Sequence, residues 1–86
     1  MFALPPKNKI KTSTVDENGL YHSFNDEPAI VYIDGMREWW KHGKLHRENG
    51  PAMKSYFNEY FYLNGTLVDK DVYELKMKFL KMLEED

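Results

Sequence analysis

Three histidines and the cations next to them are the residues of this chain that could perform chemistry. His42 and His46 lie in one short segment with Lys44 and Arg47. A metal-free ribonuclease needs such a set: one histidine as base, one as acid and a cation for the phosphate charge. However, His22 and His46 are 24 residues apart at equivalent points of a repeat. Packing, or a turn hydrogen bond repeated in each unit, explains that spacing better, so we predict that the chain is not an enzyme.

A metal or cofactor site is not predicted either. His42 and His46 flank a turn, and neither a cysteine nor a cluster of carboxylates completes a ligand set around them. The lack of cysteine also excludes a disulfide scaffold and thiol catalysis. No glycine-rich phosphate-binding motif is present. We therefore expect no cofactor and no metal.

Composition indicates one small globular domain spanning residues 1–86. A chain of 86 residues buries only ~60% of the surface that its unfolded form exposes, so its core is marginal. The hydrophobic and charged fractions, 42% and 30%, are ordinary for such a domain, whereas an aromatic fraction of 15% is high. A net charge of −2 argues against a general nucleic-acid coat. No membrane span or signal pattern is recognisable, and we expect a cytoplasmic protein.

Several features recur with a period of about 24 residues across the middle of the chain. Each unit begins with a glycine and has a histidine three positions later, then a Pro-Ala pair, a turn and two adjacent aromatic residues. These features are Gly19 and Gly43, His22 and His46, Pro28-Ala29 and Pro51-Ala52, Asp34-Gly35 and Asn58-Glu59, and Trp39-Trp40 and Phe61-Tyr62. Each unit is typical of two short strands joined by glycine or asparagine turns.

The fold class that follows is α+β: an antiparallel meander of hairpins with a C-terminal capping helix. We predict about five or six strands, with hairpin repeats over residues 18–68 and a tail or edge strand over residues 1–15. Helical periodicity begins at Asp69 and predicts a helix over residues 69–85, capped by Asp69 or Asp71. The apolar positions expected to cover the sheet are Val72, Leu75, Phe79, Met82 and Leu83.

Two-residue turns at Asp34-Gly35 and His42-Gly43 would fix the faces of the central hairpins. The first turn pairs Tyr32 with Arg37, and the second pairs Trp39 with His46. The predicted core face contains Ala29, Val31, Ile33, Met36, Trp40 and Leu45, with Glu38 and Arg47 as an ion pair at one side. The opposite face contains Ile30, Tyr32, Arg37, Trp39, Lys41, Lys44 and His46.

This opposite face leaves Trp39 partly exposed among cations, and it supports three interpretations. Unpaired RNA bases stack on such rings while cations neutralise the phosphates. Trp, Tyr and Arg also dominate protein interfaces. Alternatively, the helix or the tail covers Trp39 and makes a second core. The candidate RNA-binding residues are Arg37, Trp39, Lys41, Lys44, His46 and Arg47. The candidate protein-interface residues, which would also serve a homo-oligomer, are Tyr32, Trp39, Tyr56, Tyr60 and Phe61.

The segment GKLHRENGPA, flanked by DGMREWWKHG and YFYLNG, resembles the HRxxGPA repeats of small phage and large-virus proteins, which are similar to variant MORN repeats. The resemblance covers about residues 18–68. It departs in the first unit, where Tyr21-His22-Ser23 replaces the usual His-Arg and Glu27 replaces the glycine before Pro-Ala.

A cysteine-free chain with two such repeats and a C-terminal helix also resembles the small counter-defence proteins of T4-like phages. These are antitoxin-like inhibitors that bind RNA and an endoribonuclease toxin together. The resemblance implies a host toxin endoribonuclease as partner, RNA as an aid to the complex, and the host cytoplasm as location. It would place RNA on Arg37, Trp39, Lys41, Lys44 and Arg47. The alternative is a structural or homo-oligomeric protein-interaction module without nucleic acid.

Overall fold

The computed structural model describes residues 9–84 of the chain, so most of the predicted tail and the end of the predicted helix lie outside the described residues. Eight strands are followed by one helix in this part of the chain. The elements are β1 (Ile10–Ser13), β2 (Ile30–Tyr32), β3 (Arg37–Glu38), β4 (Trp40–Lys41), β5 (Lys44–Leu45), β6 (Met53–Lys54), β7 (Glu59–Leu63), β8 (Thr66–Val68) and α1 (Lys70–Glu84).

All the strand pairs are antiparallel. Six strands form one sheet in the order β1-β2-β3-β6-β7-β8, and β4 and β5 form a separate hairpin. The predicted α+β class, with a meander of hairpins and a C-terminal helix, is confirmed. The predicted edge strand is β1, which pairs with β2.

The hairpin turns repeat the same hydrogen bonds from unit to unit. The N–H of Gly43 donates to the carbonyl of Tyr21, and the N–H of Gly65 donates to the carbonyl of Leu45, both at 2.8 Å. In each turn the residue before the glycine also has positive φ, 45° at His42 and 50° at Asn64. Two successive residues of positive φ define a type I′ turn, whose twist matches that of the flanking strands.

Each repeat histidine accepts a hydrogen bond from the next turn. His22 Nδ1 accepts from the N–H of His42 at 3.0 Å, and His46 Nδ1 accepts from the N–H of Asn64 at 2.9 Å. Because these are equivalent atoms of successive units, the predicted structural role of the two histidines is confirmed. The imidazoles link each hairpin to its neighbour.

Asp16 organises the turn that precedes the first repeat. Its Oδ1 accepts the N–H groups of Asn18 and Leu20 at 2.8 and 3.0 Å, and its Oδ2 lies 2.7 Å from Nδ1 of His42. The hydrogen bond with His42 lowers the pKa of the Asp16 carboxyl. The amides of Leu20 and Asn18 act in the same direction, and burial opposes them. The carboxylate therefore joins this turn to the His42 turn of the next unit.

The predicted pairing of β2 with β3 is wrong by one residue. Ile30 pairs with Glu38 and Val31 with Arg37, so the connecting loop has three residues rather than two. Gly35 takes φ 93°, as expected where a three-residue loop ends in a left-handed glycine. The predicted turn at His42-Gly43 is correct, because Trp40 pairs with Leu45 and Lys41 with Lys44.

This shift exchanges the faces of β2, since successive side chains of a strand point in opposite directions. Ile30, predicted on the basic face, is 2% exposed, whereas Ile33, predicted in the core, is 64% exposed. Trp39 was expected to be partly exposed and is buried, while Trp40 is only half-buried. Ala29 is fully buried as predicted.

The helix packs on the end of the sheet through a different stripe from the predicted one. The carbonyl of Asp69 accepts the first helical hydrogen bond from Tyr73, so Asp69 immediately precedes the helix as predicted. Tyr73 and Met77 are buried against Phe61, with a distance of 4.7 Å between the Phe61 and Tyr73 ring centroids. The positions predicted to face the sheet are exposed instead: Val72, Leu75, Phe79, Met82 and Leu83.

Truncation of one residue from each stripe tests this orientation of the helix. Met77→Ala should lower the free energy of unfolding by about 2 kcal/mol, because it leaves a cavity against Phe61. Leu75→Ala, at a site that is 70% exposed, should change it by less than about 0.5 kcal/mol. Urea unfolding monitored by circular dichroism measures both values, and equal losses would contradict the observed packing.

The contact between Asp16 and His42 predicts that the wild type and Asp16→Asn differ in stability and that this difference depends on pH. Because folding lowers the pKa of Asp16, the ionised carboxylate stabilises the fold above its unfolded pKa of about 3.9. This contribution is lost as the pH falls through the lower, folded value. We expect the wild type to be the more stable protein at pH 7 and the difference to vanish on acidification. Urea unfolding from pH 7 to 2 measures it, and a difference independent of pH would contradict the assignment.

Candidate functional site

The predicted base-stacking residue, Trp39, is enclosed by two side-chain contacts. Its indole Nε1 donates to the carbonyl of Asp26 at 2.9 Å. The guanidinium carbon of Arg47 lies 3.8 Å above the centroid of the ring. With only 5% of its surface exposed, Trp39 cannot stack on a base without displacing Arg47. The prediction of a partly exposed Trp39 is therefore wrong. The side chain is covered, as the third interpretation expects, but the contacts that enclose it come from Arg47 and Asp26 rather than from the predicted cover.

Each of the three guanidinium nitrogens of Arg47 donates a hydrogen bond within the protein. Its Nε and Nη2 donate to the two carboxylate oxygens of Asp26 at 3.0 and 3.2 Å, and its Nη1 donates to the carbonyl of Pro51 at 3.3 Å. A Cβ atom at Gly50 would lie 3.1 Å from Nη1, so the glycine before Pro-Ala leaves room for the guanidinium. The predicted ion pair of Arg47 with Glu38 does not form.

Glu38 is buried, and its partner is Trp40 rather than Arg47. Its Oε1 accepts the indole N–H of Trp40 at 3.0 Å. Tyr32, a predicted interface residue, lies beside it and is only partly exposed. Burial, followed by the negative charge of Glu38 and a hydrogen bond with it, raises the pKa of Tyr32 to about 12. Tyr32 therefore belongs to an internal polar cluster.

The other predicted RNA-binding residues divide into two groups. His46 is largely covered, and its Nε2 lies 2.9 Å from a carboxylate oxygen of Glu48. Both of its nitrogens are engaged, because Nδ1 accepts the Asn64 amide. Arg37, Lys41 and Lys44 are exposed, as predicted. The structure thus leaves three exposed cations and no available aromatic platform among the six predicted residues.

Among residues 9–84, the most exposed aromatic side chains are at the tip of the β6–β7 hairpin. Tyr56 is 93% exposed and Phe57 is 91% exposed, and their ring centroids are 5.6 Å apart. The turn below them is closed by hydrogen bonds between Ser55 and Asn58: the Ser55 N–H donates to the Asn58 carbonyl, and the Asn58 N–H donates to Ser55 Oγ. The local backbone therefore presents both rings to solvent on a fixed turn. Tyr56 was predicted as an interface residue, and Phe57 was missed.

A groove of about 640 Å³ runs from this tip to the start of α1. Tyr60 and Leu67, 42% and 58% exposed, contribute apolar surface to it. Phe61, predicted in the interface, is instead buried beneath the helix. The residues that line the groove are Lys54, Ser55, Tyr56, Phe57, Asn58, Glu59, Tyr60, Phe61, Leu67, Val68, Asp69 and Lys70. We refer to it as the tip groove.

The described residues thus form an α+β protein of repeated hairpins with a groove that carries exposed aromatic residues. Within them, no helix has the length and apolar content needed to cross a membrane. Comparisons with models of protein families, with characterised proteins and with solved structures returned no match. The resemblance to variant MORN repeats therefore stays a prediction from the sequence.

Removal of the Arg47 side chain should uncover Trp39. In a Trp40→Phe background, where Trp39 is the only indole, Arg47→Ala should shift the fluorescence to longer wavelength and increase quenching by acrylamide. Loss of the cation–π contact should also reduce stability by about 1–2 kcal/mol. Lys44→Ala in the same background removes an exposed cation and serves as the control. Unchanged emission in the Arg47 variant would contradict the enclosure of Trp39.

Proposed function

We propose that this chain is a protein-binding inhibitor of a host endoribonuclease toxin and that the tip groove is its docking surface. The observation that carries the proposal is the exposure of Tyr56 and Phe57, at 93% and 91%, whereas the other aromatic side chains that the structure describes are better covered. The class of partner comes from the resemblance to the antitoxin-like phage inhibitors. The exposure of these two rings supports the tip groove as the position of the surface.

The chemistry of the tip groove suits a protein interface. Aromatic side chains give large apolar contact areas at a small cost in conformational entropy, and they are frequent among the residues that dominate binding energy. Lys54 and Glu59, an ion pair at 3.7 Å, and Lys70 provide charged groups at the rim. An apolar centre with a polar rim is the usual organisation of a specific interface.

The proposed role of RNA is smaller and electrostatic. Because Trp39 and Arg47 contact each other, RNA would bind through the exposed Arg37, Lys41 and Lys44 and would add to a complex held mainly by protein contacts. Three phosphate contacts correspond to a slope of roughly −2 for the logarithm of the single-strand binding constant against the logarithm of the salt concentration. Such binding is weak at physiological salt.

The exposed stripe of the helix favours a second candidate function, self-association. Val72, Leu75, Phe79 and Met82 are exposed and alternate at intervals of three and four residues, as at the interface of paired helices. A second copy of the chain could cover this stripe. In that case the chain would be a homo-oligomeric interaction module, and the tip groove would have no nuclease to bind.

An RNA cleavage assay with a purified phage-defence endoribonuclease toxin tests the proposal. The wild-type chain should suppress cleavage, and the Tyr56→Ala/Phe57→Ala double variant should raise the inhibition constant by about 30-fold, the effect of losing roughly 2 kcal/mol at a dominant contact. Ile33→Ala provides the matched control, because Ile33 is an exposed apolar residue at another hairpin loop. Its inhibition constant should equal that of the wild type.

Two further measurements separate the contribution of RNA from that of the protein contacts and test for self-association. The Arg37→Ala/Lys41→Ala/Lys44→Ala variant should lose the salt-dependent affinity for single-stranded RNA and keep most of the inhibition. Light scattering at several protein concentrations should give the mass of a monomer. A mass that rises with concentration and falls in Leu75→Ser, together with no inhibition by the wild type, would replace the inhibitor with the self-associating module.

A further inference from the structure

We propose that Asp16, His22 and His42 form a binding site for a divalent transition-metal ion such as Zn²⁺, Ni²⁺ or Cu²⁺. One potential ligand atom from each of the three residues lies within 4.8 Å of the other two. The set of one carboxylate and two imidazoles is that of three-ligand zinc sites, which leave a fourth position for water. The site is separate from the tip groove, and its existence does not depend on the proposed function.

An ion would draw three ligand atoms that now lie within 4.8 Å of one another closer together. Tetrahedral ligands at ~2.1 Å from an ion are about 3.4 Å apart. Asp16 Oδ2 and His42 Nδ1 are hydrogen-bonded at 2.7 Å, and an ion would take the place of the proton between them. The rings of His22 and His42 have centroids 4.1 Å apart and an interplanar angle of 35°, so they would have to tilt apart for both to direct a nitrogen at one ion. Ligation of His22 through Nε2 would keep the hydrogen bond between its Nδ1 and the His42 amide.

The environment of the cluster favours a cation. The side chain of Asp16 is 2% exposed, and its Oδ1 is fixed by two amide donors, so Oδ2 is held towards the histidines. The side chain of His42 is 56% exposed, which gives an ion access from solvent and leaves room for a water ligand.

The first repeat junction carries two potential ligands that differ from the second. The second junction makes the same turn contact with His46, but Asn64 replaces His42. Asn64 makes that contact with its amide alone, so a turn of this kind does not require an imidazole at this position. At the first junction the additional histidine and the buried carboxylate hold two turns together, and they offer an ion two of its three ligands.

Isothermal titration of the untagged full chain with ZnCl₂, NiCl₂ and CuCl₂ tests the proposal. We expect one equivalent of at least one of these ions to bind and to raise the melting temperature, because the ion links two turns of the folded state. His42→Asn, which copies the residue at the second junction, and Asp16→Asn should each weaken binding by at least about tenfold. Both variants keep the backbone turn contacts.

Glu48→Gln is the matched control, because it removes the carboxylate of the other histidine–carboxylate pair, His46–Glu48. Its affinity should equal that of the wild type. The proposal is overturned if none of the three ions binds, or if binding is lost in Glu48→Gln and retained in His42→Asn. A failure of the wild-type chain to inhibit the endoribonuclease would leave this result unchanged, so the two proposals fail separately.

Discussion

The hydrogen bond from a turn amide to the Nδ1 atom of a histidine is the contact on which the order of the hairpins depends. His22 and His46 make this bond to His42 and Asn64. An acceptor lone pair on Nδ1 requires a neutral ring that carries its proton on Nε2. Each bond positions one hairpin against the next, and the strand pairs and the small core form around these junctions. With few apolar side chains buried, the chain relies on such polar contacts to define one arrangement.

The contacts of five residues explain the composition of the HRENGPA segment, residues 46–52. His46 fixes the next turn, Arg47 covers Trp39 and pairs with Asp26, and Gly50 leaves space for the guanidinium. Pro51 supplies a carbonyl acceptor to Arg47. Ala52 is fully buried, and its carbonyl accepts the amide of Trp39. Residues that suggested nucleic-acid binding by their types thus form the interior of the junction between units.

The sequence was sufficient for the fold class, the period of the repeat, the His42-Gly43 turn and the start of the helix to within one residue. The sequence did not determine which side chains of β2 face the core, because one additional residue in the 33–35 loop reverses the two sides of the strand. Asp34 and Gly35 are residues typical of such a three-residue loop. Asp34 accepts the Met36 amide, and Gly35 takes the left-handed position. The helix was misoriented for another reason. Its apolar arc is wide, and only contacts distant in sequence decide that Tyr73 and Met77 face Phe61.

The contacts of the C-terminal helix limit where a further hairpin unit could be added to this chain. The two junctions share the contacts of the turn glycine and of the repeat histidine, whereas the pair of Arg47 with Asp26 belongs to the first junction. A further unit inserted before Asn64-Gly65 would keep the shared contacts and would have to supply the others itself. The helix contacts Phe61, Arg47 and Gly50 through Tyr73. A second copy of the unit that contains these residues, placed next to the helix, would therefore offer it the same packing surface.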